Sequence, residues 1–421
     1  MAKNNLIGLH CFGKELGKIG FDEHRNASFF QYNPEFLKED TYMDMFPLIF
    51  KRIAQTQVFE QYNNDTFRGL PPMIADSLPD AFGNIIFKAW LESGSKNLKQ
   101  ISVLEQLAYV GTRGMGALEY LPCKDLSGST TINIDEITEI VKQVLEQKSN
   151  TGATALDHAS LLNIFKIGTS AGGARPKILV SENKKTKEII PGDIVYSADY
   201  DHYLVKLGME DDKKYSPELI EYIYYLTAAA TGIDMMPSKL IDERHFATLR
   251  FDRQDGHKKH VLTATGMAGW DFMDPKVSSY ENLFDLAVYL KLPHKDIEQL
   301  FRRMVFNLVF ANHDDHLKNH SFIYNDANNK WALAPAYDLT FSLNPLLTYK
   351  RTSRALSVNG KRVEVGLDDV LKIADSYTIK NPKGIIDQVQ QAMVVWEAHA
   401  KDMAVPEMVV EGMKKQFSEI K

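Results

Sequence analysis

The stretch Asn312-His313-Asp314-Asp315-His316-Leu317-Lys318-Asn319 sets carboxylates, imidazoles, an amide and a lysine side by side in a polar loop. It follows an apolar run and precedes a strand-like one, the setting in which a rigid scaffold presents reactive side chains. A carboxylate such as Asp314 can orient a hydroxyl and take its proton. Lys318 can steady negative charge on a group in transfer. Asn319 offers an amide oxygen, and Asp338 in Ala336-Tyr337-Asp338-Leu339 a carboxylate, to a hard cation. With nucleotide phosphates, that pair is enough to hold Mg²⁺. The chemistry these types suit is metal-assisted phosphoryl transfer to a hydroxyl.

Two further pieces could hold the phosphates. In Gly168-Thr169-Ser170-Ala171-Gly172-Gly173-Ala174-Arg175-Pro176-Lys177, small residues let backbone N–H groups come close to phosphate oxygens. No Lys follows Gly173, so the stretch is not a Walker loop, and taken alone it reads as a linker. The other piece is Lys206, inside the apolar strand text Tyr203-Leu204-Val205-Lys206-Leu207. Such a lysine either sits at an exposed edge or holds α- and β-phosphates, with Glu221, or in second place Glu218, as its partner.

The elements that must position these groups follow from periodicity and caps. Leu6 to about Asn33 reads as short strands broken by Gly13, Gly17 and Gly20. A segment from Pro71-Pro72 through Trp90, a helix around Ser102–Val110 and an amphipathic helix over Ile132–Gln147 follow. Thr151-Gly152-Ala153-Thr154 reads as a seam. Beyond it come strands at Lys177–Val180, Glu188–Ile190 and His202–Leu207. A helix capped by Ser216 with Pro217 in its first turn runs to Gly232, and strands Ser238–Ile241 and Phe246–Phe251 follow it. The remainder is largely helical, with Glu281–Leu290 and Asp296–Ala311, interrupted by a strand pair at Ser321–Tyr324 and Trp331–Ala334.

This order resembles a protein kinase, where the base Asp precedes a metal-binding Asn by five residues and a second metal-binding Asp follows after one hairpin. His313 stands where the kinase Arg would, while Leu-Thr rather than Phe-Gly follows Asp338. More closely, the chain is similar over nearly its full length to the HipA family. Ser170 through Lys177 matches that family's nucleotide loop. Asp314, His316, Lys318 and Asn319 match Asp-x-His-x-Lys-Asn, and Tyr337-Asp338 matches its metal site. Arg250-Phe251-Asp252-Arg253 matches the end of its adenine-contacting strand. Ser77-Leu78-Pro79-Asp80 and Val110-Gly111-Thr112-Arg113-Gly114-Met115-Gly116-Ala117 echo its N-terminal region.

The resemblance implies an α+β fold: a divergent two-lobed kinase-like body preceded by a small β-rich N-terminal subdomain. The expected parts are residues 1–125 for the coupling subdomain, 150–255 for the small lobe and 256–421 for the mainly helical large lobe. It implies ATP and Mg²⁺ as cofactors and a protein serine/threonine kinase activity. Asp314, His316 and Lys318 would be catalytic, and Asn319 and Asp338 would hold the metal. The nucleotide would meet Gly172, Gly173, Ala174, Arg175, Pro176, Lys177, Lys206, Leu249, Arg250, Phe251, His316, Asn319, Tyr337 and Asp338. Ser170 matches the family's inhibitory autophosphorylation site, although Arg175-Pro176 is stiffer than usual there. The implied partners are a helix-turn-helix antitoxin dimer and, as substrate, an aminoacyl-tRNA synthetase. The role of Asp315 stays open.

Composition agrees. The 421 residues suit two or three domains. A net charge of −6 gives no global reason to bind nucleic acid, so DNA is expected only through the antitoxin. Two cysteines suit a reducing compartment. No membrane-length apolar run and no secretory leader is present, so a cytoplasmic protein is expected. Two rivals remain. His313-Asp314 and His316 could belong to an HD-type metal phosphohydrolase, and the whole chain could be a kinase-fold corepressor without turnover.

Overall fold

The computed structural model describes residues 6–40, 42–95, 97–98, 101–124, 132–147, 158–168, 175–192, 197–209, 215–349 and 352–420. The seam at 151–154, Ser170 and the Gly172-Gly173-Ala174 run lie outside the described residues.

In chain order the elements are β1 (Leu6–Cys11), β2 (Lys14–Asp22), β3 (Ala27–Tyr32), α1 (Pro34–Leu37), β4 (Gln57–Val58), α2 (Pro72–Ala75), α3 (Ala81–Ser93), α4 (Val103–Val110) and β5 (Glu119–Leu121). Then come α5 (Ile134–Gln147), α6 (His158–Gly168), β6 (Lys177–Asn183), β7 (Ile189–Pro191), β8 (Tyr200–Lys206), α7 (Pro217–Ala230), β9 (Ser238–Ile241), β10 (His245–Leu249), β11 (Arg253–Gln254), β12 (His257–Lys258) and β13 (His260–Thr263). The last part holds α8 (Ala264–Ala268), α9 (Tyr280–Tyr289), α10 (His294–Val309), β14 (Ser321–Asn325), β15 (Lys330–Leu333), α11 (Leu367–Ser376), α12 (Pro382–Asp402) and α13 (Glu407–Lys414). The chain divides into two compact units, Met1–Met209 with Ala247–Val261, and Glu210–Phe246 with Leu262–Lys421.

In the first unit β4-β3-β2-β1-β5 form one sheet. The glycines expected to break its strands do not all do so. Gly13 turns the chain with φ +75°, but Gly17 and Gly20 lie inside β2. A Cβ on Gly17 would come within 2.3 Å of the Gln31 carbonyl oxygen, so this glycine admits β3 rather than ending β2. Tyr120 donates from its hydroxyl to Ser77 Oγ at 2.7 Å, joining β5 to the first of the motifs singled out in the N-terminal region. Helix α4 starts as its sequence says: Ser102 Oγ accepts from Glu105 N–H, and the Glu105 carboxylate accepts from Ser102 N–H. Helix α5 begins two residues later than expected, because Asn133 Oδ1 accepts from the N–H groups of Asp135 and Glu136 and so caps it. Helix α6 has no counterpart in the sequence reading. It is held by Phe165, whose ring stacks on Phe87 and Trp90 with centroids 4.8 Å away in each case. A second sheet carries β7, β6, β8 and β10 in that order.

In the second unit, Ser216 Oγ accepts from Leu219 N–H and Pro217 opens α7 as expected. The hydroxyl of Tyr224 on α7 donates to the carbonyl of Phe310 at 2.6 Å, fixing the end of α10 from which the polar loop departs. Phe306, Phe310, Trp396 and Phe417 pack in sequence around that end. The hairpin β14–β15 pairs Phe322 with Leu333 through Asn325 with Lys330.

Burial holds four histidines neutral. His202, His260 and His313 are pushed down to about 4 and His320 to about 3, burial being the first cause in each. Nearby guanidinium groups add to it for His202, His313 and His320. An unfolded chain binds these protons near 6.5 and the folded chain does not, so stability is full above that value and falls as pH drops toward 4. Unfolding free energies from urea titrations between pH 7 and pH 4 should decline with a slope of up to about 1.4 kcal/mol per pH unit for each histidine. A flat profile across this window would contradict the burial.

Candidate functional site

Helix α10 ends at Val309, and Ala311 then adopts φ +51°, a left-handed turn that a side chain resists by about 1–2 kcal/mol. The strain redirects the chain into the loop. Ser342 Oγ accepts from His313 N–H at 2.7 Å, and the His313 carbonyl accepts from Ala355 N–H at 2.8 Å. Asp314 is exposed at the turn. Asn319 donates from Nδ2 to the Asp314 carbonyl at 2.9 Å, which closes the five-residue loop and leaves the amide oxygen outside this bond. His316 packs against Phe272, with centroids 5.1 Å apart, and Lys318 Nζ lies 5.3 Å from the same ring. An ammonium over an aromatic face is attracted by the negative face of the ring.

The second carboxylate is brought to the same place by the hairpin. Tyr337 donates from its hydroxyl to the Lys318 carbonyl at 2.7 Å and lies 2.5 Å from Ser321 Oγ. Ala336 N–H donates to the Asp234 carbonyl at 2.8 Å, so the strand end is pinned on its other side. Asp338 has φ +57°, a conformation that aspartate tolerates better than most residues. Asn319, Tyr337 and Asp338 line one cavity of about 10 Å³ with Arg303, Asn312 and His320. The oxygen donors suit a hard cation, and Asn312 Oδ1 is buried in that lining with no hydrogen-bond partner among the described residues. The residues present therefore fit Mg²⁺.

Sequence reasoning left Asp315 without a role, and the fold supplies one. Its side chain is buried, accepts from the Tyr280 hydroxyl at 2.7 Å and lies 3.9 Å from Arg354. Burial raises its pKa, against the Arg354 charge and the Tyr280 hydrogen bond. Asn307 Nδ2 donates to the Tyr280 hydroxyl at 2.9 Å, and Asn312 Nδ2 donates to Asn307 Oδ1 at 3.0 Å and to the Asp338 carbonyl at 3.4 Å. A continuous buried chain thus runs from Asp315 to Asp338. A helix residue 35 positions away carries it, which no local motif could signal.

The first unit holds the basic candidates. Lys177 and Lys206 are directly opposed in the antiparallel register of β6 and β8, and each is 5% exposed. Directly opposed residues share a sheet face, so the two ammonium groups lie on the same side of the sheet. Pro176 ties the strand starts together, its carbonyl accepting from Leu207 N–H at 2.9 Å. Arg175 Nη1 is buried beside them with no hydrogen-bond partner among the described residues. Glu221 is 3% and Glu218 7% exposed on α7 of the second unit.

Strand β10 stops at Leu249, two residues short of the expected Phe251, because the chain turns there to let Arg250 meet Asp252. The Arg250 side chain is therefore committed to an ion pair, with Nε–Oδ1 at 2.9 Å and Nη2–Oδ2 at 2.7 Å. What this segment offers a ligand is its backbone and the half-buried side chains of Leu249 and Phe251. Among the described residues, no three His, Cys, Asp or Glu side chains converge as the HD-type reading requires. No helix of the described residues is long and apolar enough to cross a membrane.

Residues 169–396 match the family model described as the HipA-like C-terminal domain, and residues 9–121 match the HipA N-terminal domain. Among curated proteins the chain is similar to Y4dM of Sinorhizobium fredii (strain NBRC 101917 / NGR234), which is named as a kinase. The identity is 29% over 211 residues, covering 45% of this chain and 51% of that protein. The chain thus spans about half the length of the curated relative it matches. HipA of Shewanella oneidensis MR-1, a toxin–antitoxin protein solved with HipB and operator DNA, superposes with a TM-score of 0.66 at 15% identity. The match covers 97% of this chain and 95% of that one, a likeness of fold. The Helicobacter pylori proinflammatory kinase CtkA gives a TM-score of 0.37 at 13% identity over 51% of this chain and 85% of that one, too low to carry an argument. The mixed helix-and-sheet architecture with its N-terminal sheet is that of the Shewanella protein, and with one family model spanning more than half its length and a second the N-terminal part, the chain belongs to the HipA family.

Proposed function

We propose that the chain is an ATP- and Mg²⁺-dependent protein serine/threonine kinase, with residues 150–255 and 256–421 as its two lobes. The observation that carries this reading is the gathering of Asn319 and Asp338 on one cavity at the end of the Asp314 loop. Asn319 Oδ1 and the Asp338 carboxylate would hold Mg²⁺, which when bound would offset the charge of the nucleotide phosphates. Asp314 accepts the proton of the acceptor hydroxyl as its oxygen bonds to the γ-phosphorus and the bond to the β-phosphate oxygen breaks, so that ADP leaves. Lys318, steadied on Phe272, sits next to Asn319 to meet the charge of the transferred group. Lys177 and Lys206, opposite each other in the sheet, would hold the nucleotide phosphates, and the backbone of Leu249–Phe251 would take the base.

The family and the Shewanella complex with HipB support a helix-turn-helix antitoxin dimer as partner, with DNA reached through it. An aminoacyl-tRNA synthetase is the substrate to try first. The direct test of the nucleotide reading is Lys206→Met. Saturating Mg·ATP at about 100 times its Kd should stabilise the wild-type chain by about 2.7 kcal/mol, and the variant should lose most of the resulting rise in melting temperature. An equal rise in both would remove Lys206 from the site.

A further inference from the structure

We infer that the buried Arg250–Asp252–Arg253 cluster is a latch through which the Gly114–Gly116 turn of the N-terminal region sets the backbone of Leu249–Phe251 for a nucleotide base. The inference rests on the kinase reading for its ligand, but its geometry stands independently. Arg250, Asp252 and Arg253 are 3%, 1% and 6% exposed. The Asp252 carboxylate accepts from Nε and Nη2 of Arg250, from Arg253 Nη1 at 2.8 Å and from Gly116 N–H at 2.7 Å.

Two guanidinium groups on one carboxylate leave an excess buried cation, which is unstable unless further acceptors surround it. The N-terminal turn provides them. Arg253 Nη2 donates to the Gly114 carbonyl and Arg253 Nη1 to the Gly116 carbonyl, both at 2.9 Å. The cluster is therefore complete only with the turn in place. The backbone conformation of the turn is equally specific. Gly116 has φ +73°, and a Cβ there would meet Val261 backbone atoms at 3.2 and 3.3 Å. At its edge, Lys258 Nζ donates to the Thr112 carbonyl and to Glu119 Oε1, each at 2.5 Å. On the other side, Arg250 N–H donates to the His202 carbonyl at 2.8 Å, joining the segment to β8, the strand of Lys206. Asp252 is a positioning residue: it touches no ligand and shapes the segment that does. Residues 112–119 thereby gain control over nucleotide affinity without taking part in the transfer step.

Two variants test this at the contacts of the N-terminal turn, outside every proposed catalytic group. Gly116→Ala strains the turn, and Lys258→Met releases its edge without stranding a buried charge. Titration calorimetry with Mg·ATP should show Kd raised about tenfold by Gly116→Ala and in the same direction by Lys258→Met, with KM for ATP following and kcat at saturating ATP unchanged. Hydrogen exchange at residues 249–253 of the nucleotide-free protein should quicken in both. If Gly116→Ala fails to fold, Lys258→Met decides alone. A wild-type chain that binds ATP beside variants with unchanged Kd would overturn the latch and leave the kinase reading standing, as would a fall in kcat at constant Kd. A wild-type chain that binds no ATP would overturn the kinase reading and the latch with it.

Discussion

Asp314→Asn is expected to lower phosphoryl transfer by about 10²- to 10⁴-fold while leaving ATP binding nearly intact. The amide keeps the shape of the carboxylate but cannot accept the hydroxyl proton. Two contacts that shape the loop run through other atoms: Asn319 Nδ2 reaches the Asp314 carbonyl, and Ser342 Oγ accepts from His313 N–H. Loss of activity with ATP binding retained will report chemistry rather than misfolding. Incubation with Mg·ATP followed by peptide mass spectrometry reads the same point through a second acceptor. We propose Ser170 as the inhibitory autophosphorylation site, so phosphate on Ser170 should appear in the wild-type chain and be absent from Asp314→Asn. Near-wild-type turnover in the variant would sink the assignment of the base.

Asp252→Asn should destabilise the folded chain by about 3–5 kcal/mol, because it strands two buried guanidinium groups without their shared counter-charge. Burial by itself would raise the Asp252 pKa. The Arg250 and Arg253 charges, the Arg250 hydrogen bond and the Gly116 N–H outweigh it and hold the carboxyl well below the usual carboxylate range. The sign follows: the unfolded chain takes up this proton near pH 3.9 and the folded chain does not, so the contribution is whole above that pH and lost as pH falls below it. Urea unfolding at pH 7 should show the full deficit of the variant, and the gap to wild type should narrow below about pH 4. A loss under about 1 kcal/mol at pH 7 would mean that water or the Gly114 and Gly116 carbonyls satisfy the arginines without Asp252.

The candidate site was legible where its chemistry is local. Asp314 and Asn319 are five residues apart, and the hydrogen bond that joins them closes within that interval, so the text of the loop carried its own geometry. The cap at Ser216 was legible for the same reason, since its bond spans three residues. Helix α6 was missed because its identity lies in what Phe165 stacks on, not in a cap or a clean period. The break assigned at Gly17 was misread because glycine in a strand means either a turn or a close neighbour, and only the Gln31 carbonyl in β3 decides which.

By itself, then, the sequence determined the order of the capped and clearly periodic elements, the polar loop with its spacing and the position of a second carboxylate one hairpin later. These follow from backbone bonds and side-chain types within a few residues of each other. The tertiary structure alone decided that Lys177 stands opposite Lys206, that Tyr280 anchors Asp315, and that Asp252 accepts a hydrogen bond from Gly116 across 136 positions. Register and long-range contact depend on which faces pack together, and packing is a property of the whole folded chain that no local spacing encodes.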